Sequence, residues 1–366
     1  MSNTLKSKKP QIGGPLGLGS KTEKQGLRMN GAEAIIASLE AEGVDLVFGY
    51  PGGQAIKIYD ALYDSKQITH ILARHEQGAV HEADGYARAT GRPGVAIVTS
   101  GPGATNTVTG IATAYMDSVP LVIITGQVPR GVIGTDSFQE SDIVGITMPI
   151  VKHSFLLQSA EELTTTFREA FHIASTGRPG PVLIDVPSDI QSEQIVFNYP
   201  DAVNLPSYRP TYKGNAKQIK QAVGVIERAS KPILYVGGGA IASGATEELV
   251  KLSTMMQIPV VTTLMGKGAF PASHPMNLGP VGMHGSKFAN LAMTESDLII
   301  DPMPNLYFTR DPGACVGEGI NIHRMHTPAR KRESLLLKYM YLYNRDFATL
   351  DNKMWYDLSD SYSIEG

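Results

Sequence analysis

Val95-Ala96-Ile97-Val98-Thr99, Leu121-Val122-Ile123-Ile124-Thr125 and Val182-Leu183-Ile184-Asp185-Val186 are apolar runs of strand length, each bounded by Gly, Pro or Ser. Strands that are apolar at nearly every position have no side to turn to water, so both faces of their sheet must be covered. Helical spacing lies around them: Ala32 to Ala41, followed by Gly43 and the strand-like Asp45-Leu46-Val47-Phe48-Gly49, then Gln77 to Ala89, Ala104 to Met116 and Ala160 to Ser175. The alternation predicts an α/β fold, a doubly wound parallel sheet with helices on both faces.

Gln191 to Thr211 changes composition, with Pro200, Pro206 and Pro210 and little periodicity, which suits an interdomain linker. A second α/β unit follows. Lys217 to Arg228 and Thr246 to Met256 read as helices. Ile233-Leu234-Tyr235-Val236, running into Gly237-Gly238-Gly239, then Pro259-Val260-Val261-Thr262 and Asp297-Leu298-Ile299-Ile300, read as strands. At Asp301 the idiom changes without a linker to Asp-Pro-Met-Pro-Asn-Leu-Tyr-Phe-Thr-Arg-Asp. The expected organisation is a disordered leader over 1–28, a first α/β domain over 29–195, a linker over 196–211, an incomplete second α/β domain over 212–300, and a fragment of a different fold over 301–366.

A length of 366 residues allows two cores. A formal net charge of −3 makes no field for nucleic acid or an anionic membrane, which favours an enzyme of small molecules. Cys315 is the only cysteine, so no internal disulfide forms and no zinc-type spacing exists; a reducing, cytoplasmic setting is expected. Met1 to Arg28 lacks the apolar core of a signal peptide and reads as a cytoplasmic leader, with an organellar address as the alternative.

In Arg74-His75-Glu76-Gln77-Gly78-Ala79 a carboxylate opens an amphipathic helix, which by itself is a dipole-stabilising first-turn Glu. Gly49-Tyr50-Pro51-Gly52-Gly53 and Ser100-Gly101-Pro102-Gly103-Ala104-Thr105-Asn106 each follow a strand and open a helix. That places free N–H groups at the carboxyl edge of the sheet, where ligands of open α/β sheets sit. Together with Asp117-Ser118-Val119-Pro120-Leu121, Gly134-Thr135-Asp136-Ser137-Phe138-Gln139-Glu140 and Thr176-Gly177-Arg178-Pro179-Gly180-Pro181-Val182, these strings resemble the thiamine-diphosphate enzymes. Within them the likeness is to the acetolactate synthase catalytic subunit, over about residues 29–300.

The resemblance implies a pyrimidine-binding domain followed by a flavin-type domain. It makes Glu76 the carboxyl group that hydrogen-bonds the aminopyrimidine of thiamine diphosphate and activates it, a role that requires the carboxyl to hold or share a proton. Gly53, Phe138, Gln139 and Lys152 match positions lining the substrate and cofactor channel, Gln139 and Lys152 beside the chemistry. Read alone they are a turn glycine, a core aromatic and two solvated side chains. Arg178, Gly238, Thr263, Leu264, Val281, Gly282, Met283 and His284 match residues that contact FAD, which in that family is structural; read alone, the glycines are turn residues and His284 an ordinary polar histidine.

The implied reaction condenses two pyruvates, or pyruvate with 2-oxobutyrate, after decarboxylation, in branched-chain amino-acid synthesis. The implied partners are 2-oxo acid substrates, a second copy joined through the first domain and a regulatory subunit. The family's Mg²⁺ and diphosphate module is marked by Gly-Asp-Gly, which does not occur in these residues, and no metal ligand is assigned. Little or no activity is therefore expected. A non-catalytic flavin-binding or subunit-interaction module is the alternative.

Asp301 to Pro312, Pro328-Ala329-Arg330-Lys331-Arg332-Glu333, Trp355-Tyr356-Asp357 and Ile364-Glu365-Gly366 resemble arginine deiminase, of the guanidino-modifying pentein fold. The likeness implies that Asp311 and Glu365 grip a guanidinium, that Arg330 pairs with the substrate carboxylate, and that Asn305 and Phe308 line the pocket. Read alone, Arg330 is a solvated charge and Asp311 a turn residue. The family's His and nucleophilic Cys find no match, so arginine deiminase activity, conversion of arginine to citrulline, is a third and disfavoured reading, and Cys315 reads as a small apolar filler.

Overall fold

The structure, a computed structural model, describes residues 24–300 and the backbone of three further strands, Gly313–Val316, Gly319–Ile322 and Lys353–Asp357. The described residues up to Arg228, with Ala242–Glu247, form one compact unit; Ala229–Ile241 and those from Glu248 onward form another.

The first unit opens with β1 (Arg28–Asn30) and α1 (Gly31–Ala41). Asn30 accepts from the Glu33 N–H at 2.9 Å while the Glu33 carboxylate accepts from the Asn30 N–H at 2.8 Å, a reciprocal cap that fixes where α1 begins. Then come β2 (Leu46–Gly49), α2 (Ile56–Asp64), β3 (Thr69–Leu72), α3 (Glu76–Thr90), β4 (Gly94–Val98), α4 (Pro102–Thr105), α5 (Val108–Asp117) and β5 (Leu121–Gln127). The unit continues with α6 (Ile143–Thr147), β6 (His153–Leu156), α7 (Leu163–Ser175), β7 (Pro181–Pro187) and β8 (Gln194–Val196).

Six strands form a parallel sheet in the order β3-β2-β4-β5-β7-β6. The three apolar runs are β4, β5 and β7, buried at every position. Their side chains alternate between two cores. Val95, Ile97, Val122, Ile124, Val182 and Ile184 meet α1, α2 and α7 through Ile35, Ile58 and Phe167. Ala96, Leu121, Ile123 and Leu183 meet α3, α5 and α6 through Val80, Ile111 and Ile143. Each large apolar side chain so enclosed contributes about 1.5–3 kcal/mol. The doubly wound parallel sheet expected from the sequence is thus present.

Three local expectations are corrected. The helix expected over 104–116 is two, joined at Asn106 and Thr107, which keep helical backbone angles while the Thr107 N–H bonds the Ala104 carbonyl three residues back at 3.0 Å. The helix expected from Ala160 starts at Leu163. The 196–211 segment packs on the first unit: Phe197 is fully buried there, and Tyr199, Leu205 and Tyr208 lie against the same core. Its preceding strand β8 pairs antiparallel with β1, Met29 opposite Ile195.

Helix α8 (Ala216–Arg228) is amphipathic and has no buried residue. The second unit contains β9 (Pro232–Val236), the helices α9 (Gly238–Ala242) and α10 (Thr246–Met256) in part, and β10 (Val260–Thr262), β11 (Asn277–Pro280), α11 (Lys287–Glu295) and β12 (Leu298–Ile300). Its four strands are parallel in the order β11-β10-β9-β12. Ile233, Val261 and Ala289 are the buried centre of one face, with Leu278, Ala292 and Met293 around them. The Asp297 carboxylate accepts from the Ser230 and Lys231 N–H groups at 2.7 and 2.8 Å, which ties the entry of β12 to that of β9 and holds the carboxyl below its ordinary range.

Beyond the change of idiom, β13 (Gly313–Val316), β14 (Gly319–Ile322) and β15 (Lys353–Asp357) form a sheet in that order. The first pair is antiparallel and the second parallel. Among the described residues no helix is long and apolar enough to cross a membrane.

Candidate functional site

In the first sheet β2 has β3 on one side and β4 on the other, so the chain reverses its direction of winding there. Crevices form outside the carboxyl ends of strands at such a point. The turns that follow β2 and β4 close on Thr99. A Cβ on Gly52 would stand 2.5 Å from the Thr99 methyl, and one on Gly103 2.6 Å from it, so neither position tolerates a side chain without movement. The Thr99 hydroxyl accepts from the Gln54 N–H at 3.1 Å, joining the two turns.

Glu76 is the first residue of α3, whose N-cap is His75: the imidazole Nδ1 accepts from the Gln77 N–H at 3.1 Å. Glu76 is only 8% exposed. Asn106, from the break between α4 and α5, donates its amide to Glu76 Oε2 at 2.9 Å. Glu76 Oε1 lies 3.3 Å from where a Cβ on Gly103 would be. Tyr59, which donates to the Ile97 carbonyl at 2.7 Å, is pushed above its ordinary pKa by burial and then by the charge of Glu76.

Gly53 opens on space, with nothing within 4 Å of a Cβ placed there. Gly101 has a φ of +51°, and its Cβ position is 2.4 Å from the Gln139 carbonyl oxygen, so the backbone of Gln139 rests directly on this turn. Gln139 is itself left-handed at φ +60°. The loop before it is closed by the Glu140 carboxylate, which accepts from the N–H groups of Gly134 and Ser137 and is held below its ordinary range by them. Phe138 is 86% exposed, which corrects the reading of this residue as core. Gly53, Glu76, Phe138 and Gln139 therefore share the carboxyl edge of one sheet.

Lys152 and Arg178 do not join them. Each immediately precedes or lies before the start of a strand, β6 and β7, so both stand at the amino edge. The Lys152 ammonium donates to the carbonyls of Ile173 and Thr176, the latter at 2.8 Å, and to the Tyr208 hydroxyl at 3.1 Å. Burial first, then the neighbouring Arg178, push its pKa down to about 8. Arg178 donates to the Ser118 hydroxyl at 2.6 Å and the Met116 carbonyl at 3.2 Å. Lys152 is thus a partly buried cap on the end of α7, which corrects the reading of it as a solvated side chain.

In the second unit Gly238, Thr263, Leu264, Val281, Gly282, Met283 and His284 all follow the carboxyl ends of β9, β10 and β11, which are adjacent in the sheet. The Thr263 N–H donates to the Val236 carbonyl at 2.9 Å and the Val281 N–H to the Thr262 carbonyl at 2.9 Å, so each turn leans on its neighbour. Gly266 packs against the Val236 carbonyl, 2.1 Å from where its Cβ would be. Gly282, at φ +108°, is tied at both its N–H and C=O to the Asn290 amide, at 2.9 and 3.0 Å. Leu264 and Met283 are left 79% and 91% exposed at the same edge, and His284 is exposed beside them.

Thr99 and Asn106 were not singled out by sequence, nor was a buried polar group of Thr125, Gln127 and Asp185. The signal for the last was in view: an Asp inside an apolar strand has to be satisfied by the neighbouring strand. Asn305, Phe308, Asp311, Arg330 and Glu365 lie outside the described residues; Cys315 falls in β13.

Residues 29–146 match the thiamine pyrophosphate enzyme N-terminal TPP binding domain, 219–301 the thiamine pyrophosphate enzyme central domain, and 274–366 arginine deiminase. The deiminase match begins before Asp301, so 274–301, with Val281–His284, is common to two matches; Lys152 and Arg178 lie outside all three. The chain is 57% identical over 275 residues to the probable acetolactate synthase large subunit of Methanocaldococcus jannaschii, across 74% of this chain and 46% of that protein. It is 57% identical over 281 residues to the acetolactate synthase of Arthrospira platensis, across 75% and 48%. With the acetolactate synthase large subunit of Haemophilus influenzae it shares 53% over 275 residues, across 75% and 48%. The chain spans about half the length of the curated relatives it matches. About three quarters of the chain is homologous to acetolactate synthase large subunits and carries N-terminal and central domains of thiamine pyrophosphate enzymes, followed by a segment that matches arginine deiminase.

Proposed function

We propose that this chain carries the pyrimidine-side half of an acetolactate-synthase-type site, with part of a flavin site on its second sheet. The observation that carries the reading is a buried carboxyl at the switch point: Glu76, with Oε2 held by Asn106 and Oε1 turned toward the side-chain-free surface of Gly103. These residues fit an aminopyrimidine edge, since a carboxyl fixed by one oxygen keeps the other for a ring nitrogen. Thiamine diphosphate, when bound, supplies the electron sink for decarboxylating and joining 2-oxo acids. The chain's own part is to hold a proton at Glu76 against the pyrimidine, to leave room at Gly53 and Gly103, and to rim the space with Phe138 and Gln139.

The residues do not fit the metal end of the cofactor. Among the described residues no three His, Cys, Asp or Glu side chains gather as a metal site, and Gly-Asp-Gly is not in the sequence. A diphosphate needs a divalent cation and backbone donors, so these residues alone bind the cofactor weakly and do not turn over pyruvate. Pairing with a second copy through the first unit, and with a regulatory subunit, belongs to the same reading.

Titration of the full chain with thiamine diphosphate and Mg²⁺, alongside an acetolactate assay with pyruvate, tests it. The expected result is weak binding that Glu76→Gln lowers about tenfold, the loss of one hydrogen bond to the pyrimidine, with no acetolactate above background. Equal binding by both chains removes the Glu76 role; turnover lost in Glu76→Gln removes the claim of incompleteness.

A second reading, a flavin-binding module without turnover, is favoured by the three adjacent turns after β9, β10 and β11. Their glycines leave backbone exposed to a flat or extended ligand, and Leu264 and Met283 offer it apolar contact. FAD absorbance that co-elutes with the chain in gel filtration, and is lost in a chain carrying Gly282→Val, supports this reading; elution without flavin rejects it.

A further inference from the structure

Asp185 is 2% exposed toward the carboxyl end of β7, on the face of the first sheet covered by α3, α5 and α6. Both its oxygens are engaged: the Thr125 hydroxyl donates to Oδ1 at 2.6 Å and the Gln127 amide to Oδ2 at 2.8 Å. The same Gln127 nitrogen donates to the Ser141 carbonyl at 3.0 Å, and Gln127 Oε1 accepts from the Val128 N–H at 2.8 Å. One amide side chain thus joins a buried carboxyl to both ends of the segment 128–141. That segment carries Phe138 and Gln139, and at Gln139 it rests on Gly101.

We propose that Asp185 is a positioning residue, which through Gln127 fixes the 128–141 segment, and with it Gln139, over the Gly101 turn, and whose own protonation sets how firmly it does so. A carboxyl enclosed in this way has no water to solvate its charge. Asp142, the cap of α6, is the charged group that acts on it, and its sign is the same; Thr125 and Gln127 on β5 and Leu156 on β6 bring no charge. Burial above all, and the charge of Asp142, push the carboxyl up to about 7 against the two hydrogen bonds, which favour ionisation. An opening of the segment that admits water returns Asp185 toward its ordinary value of 3.8. The opened form is then the less protonated one, so its population rises with pH between about 4 and about 7 and levels off above.

The proposal rests on reading Phe138 and Gln139 as part of the site. Amide hydrogen exchange of the full chain without cofactor or substrate tests it separately from that reading. After correction for the intrinsic pH dependence of exchange, protection over 128–141 is expected to fall about tenfold or more from pH 5 to pH 7, one proton being linked to opening. Strands β4 and β5 keep theirs. In Asp185→Asn the protection of 128–141 no longer depends on pH. Gln127→Leu, which severs the tether and leaves the acid in place, lowers protection of the same segment already at pH 5 and decides the matter however well the Asp185 variant folds. An unchanged pH response in Asp185→Asn, wild-type protection in Gln127→Leu, or a response spread evenly over β4 and β5 overturns the proposal.

Discussion

Glu76 is placed by residues other than its helix. Helix polarity alone makes a first-turn carboxylate comfortable in water, whereas here the side chain is drawn inward by Asn106 and lies against a glycine. Gly103→Ala tests this: the new methyl meets the Thr99 side chain at 2.6 Å and the Glu76 carboxyl at 3.3 Å. A fixed clash of that kind in a packed site costs about 1–3 kcal/mol. The expected outcome is a lower midpoint of denaturation, with loss of whatever thiamine diphosphate binding Glu76 confers. Sequence reasoning reached Glu76 because a carboxylate at a strand-to-helix turn is visible locally. It passed over Asn106, which sits in a run of helical spacing and whose amide has its partner 30 residues away in the chain. Asp185 was read as one more residue of a strand because its partners, Thr125 and Gln127, lie on a neighbouring strand and are found only once the register is known.

At the scale of elements, burial decided what could be read. The central strands β4, β5 and β7 are enclosed on both faces and spell this out as unbroken apolar runs. The edge strands β3 and β6 are half exposed, so Thr69-His70-Ile71-Leu72 and His153-Ser154-Phe155-Leu156 mix polar and apolar side chains and carry little strand signal. Helix α2 was missed for a related reason, since Ile56 and Tyr63 face solvent and blur its period. Helix α1 is the opposite case, with its apolar spacing and its reciprocal Asn30–Glu33 cap both local. Asn30→Ala removes the cap acceptor and leaves an N–H of the first turn without a partner. The expected loss is about 1 kcal/mol, seen as a lower urea midpoint at unchanged slope; a change in slope would instead mean that β1 and its pairing with β8 had been lost as well.

At the scale of the molecule, the residues matched to one substrate and cofactor channel stand at opposite edges of one sheet: Gly53, Glu76, Phe138 and Gln139 at the carboxyl edge, and Lys152 at the amino edge, beside the flavin-matched Arg178. The sequence could order these motifs along the chain but could not say on which edge each would emerge, because that depends on whether the residue follows or precedes its strand. No single copy of this unit brings both sets together, so a channel using both draws on two copies. The carboxyl edge also leaves apolar side chains in solvent: Leu72 is 61% exposed at the end of the edge strand β3, Tyr50 is 42% exposed after β2, and Phe138 is 86% exposed on the loop over Gly101. Apolar groups exposed along one sheet edge are consistent with a surface that a second copy covers. The full chain is therefore expected to sediment as a dimer at micromolar concentration. Leu72→Lys combined with Phe138→Lys, which places two like charges on that surface, shifts it to monomer while far-ultraviolet circular dichroism stays unchanged, because neither side chain contributes to the core. A chain that sediments as a monomer throughout would remove the shared channel, since Lys152 would then have no Glu76 within reach; a dimer indifferent to both substitutions would move the interface to another face.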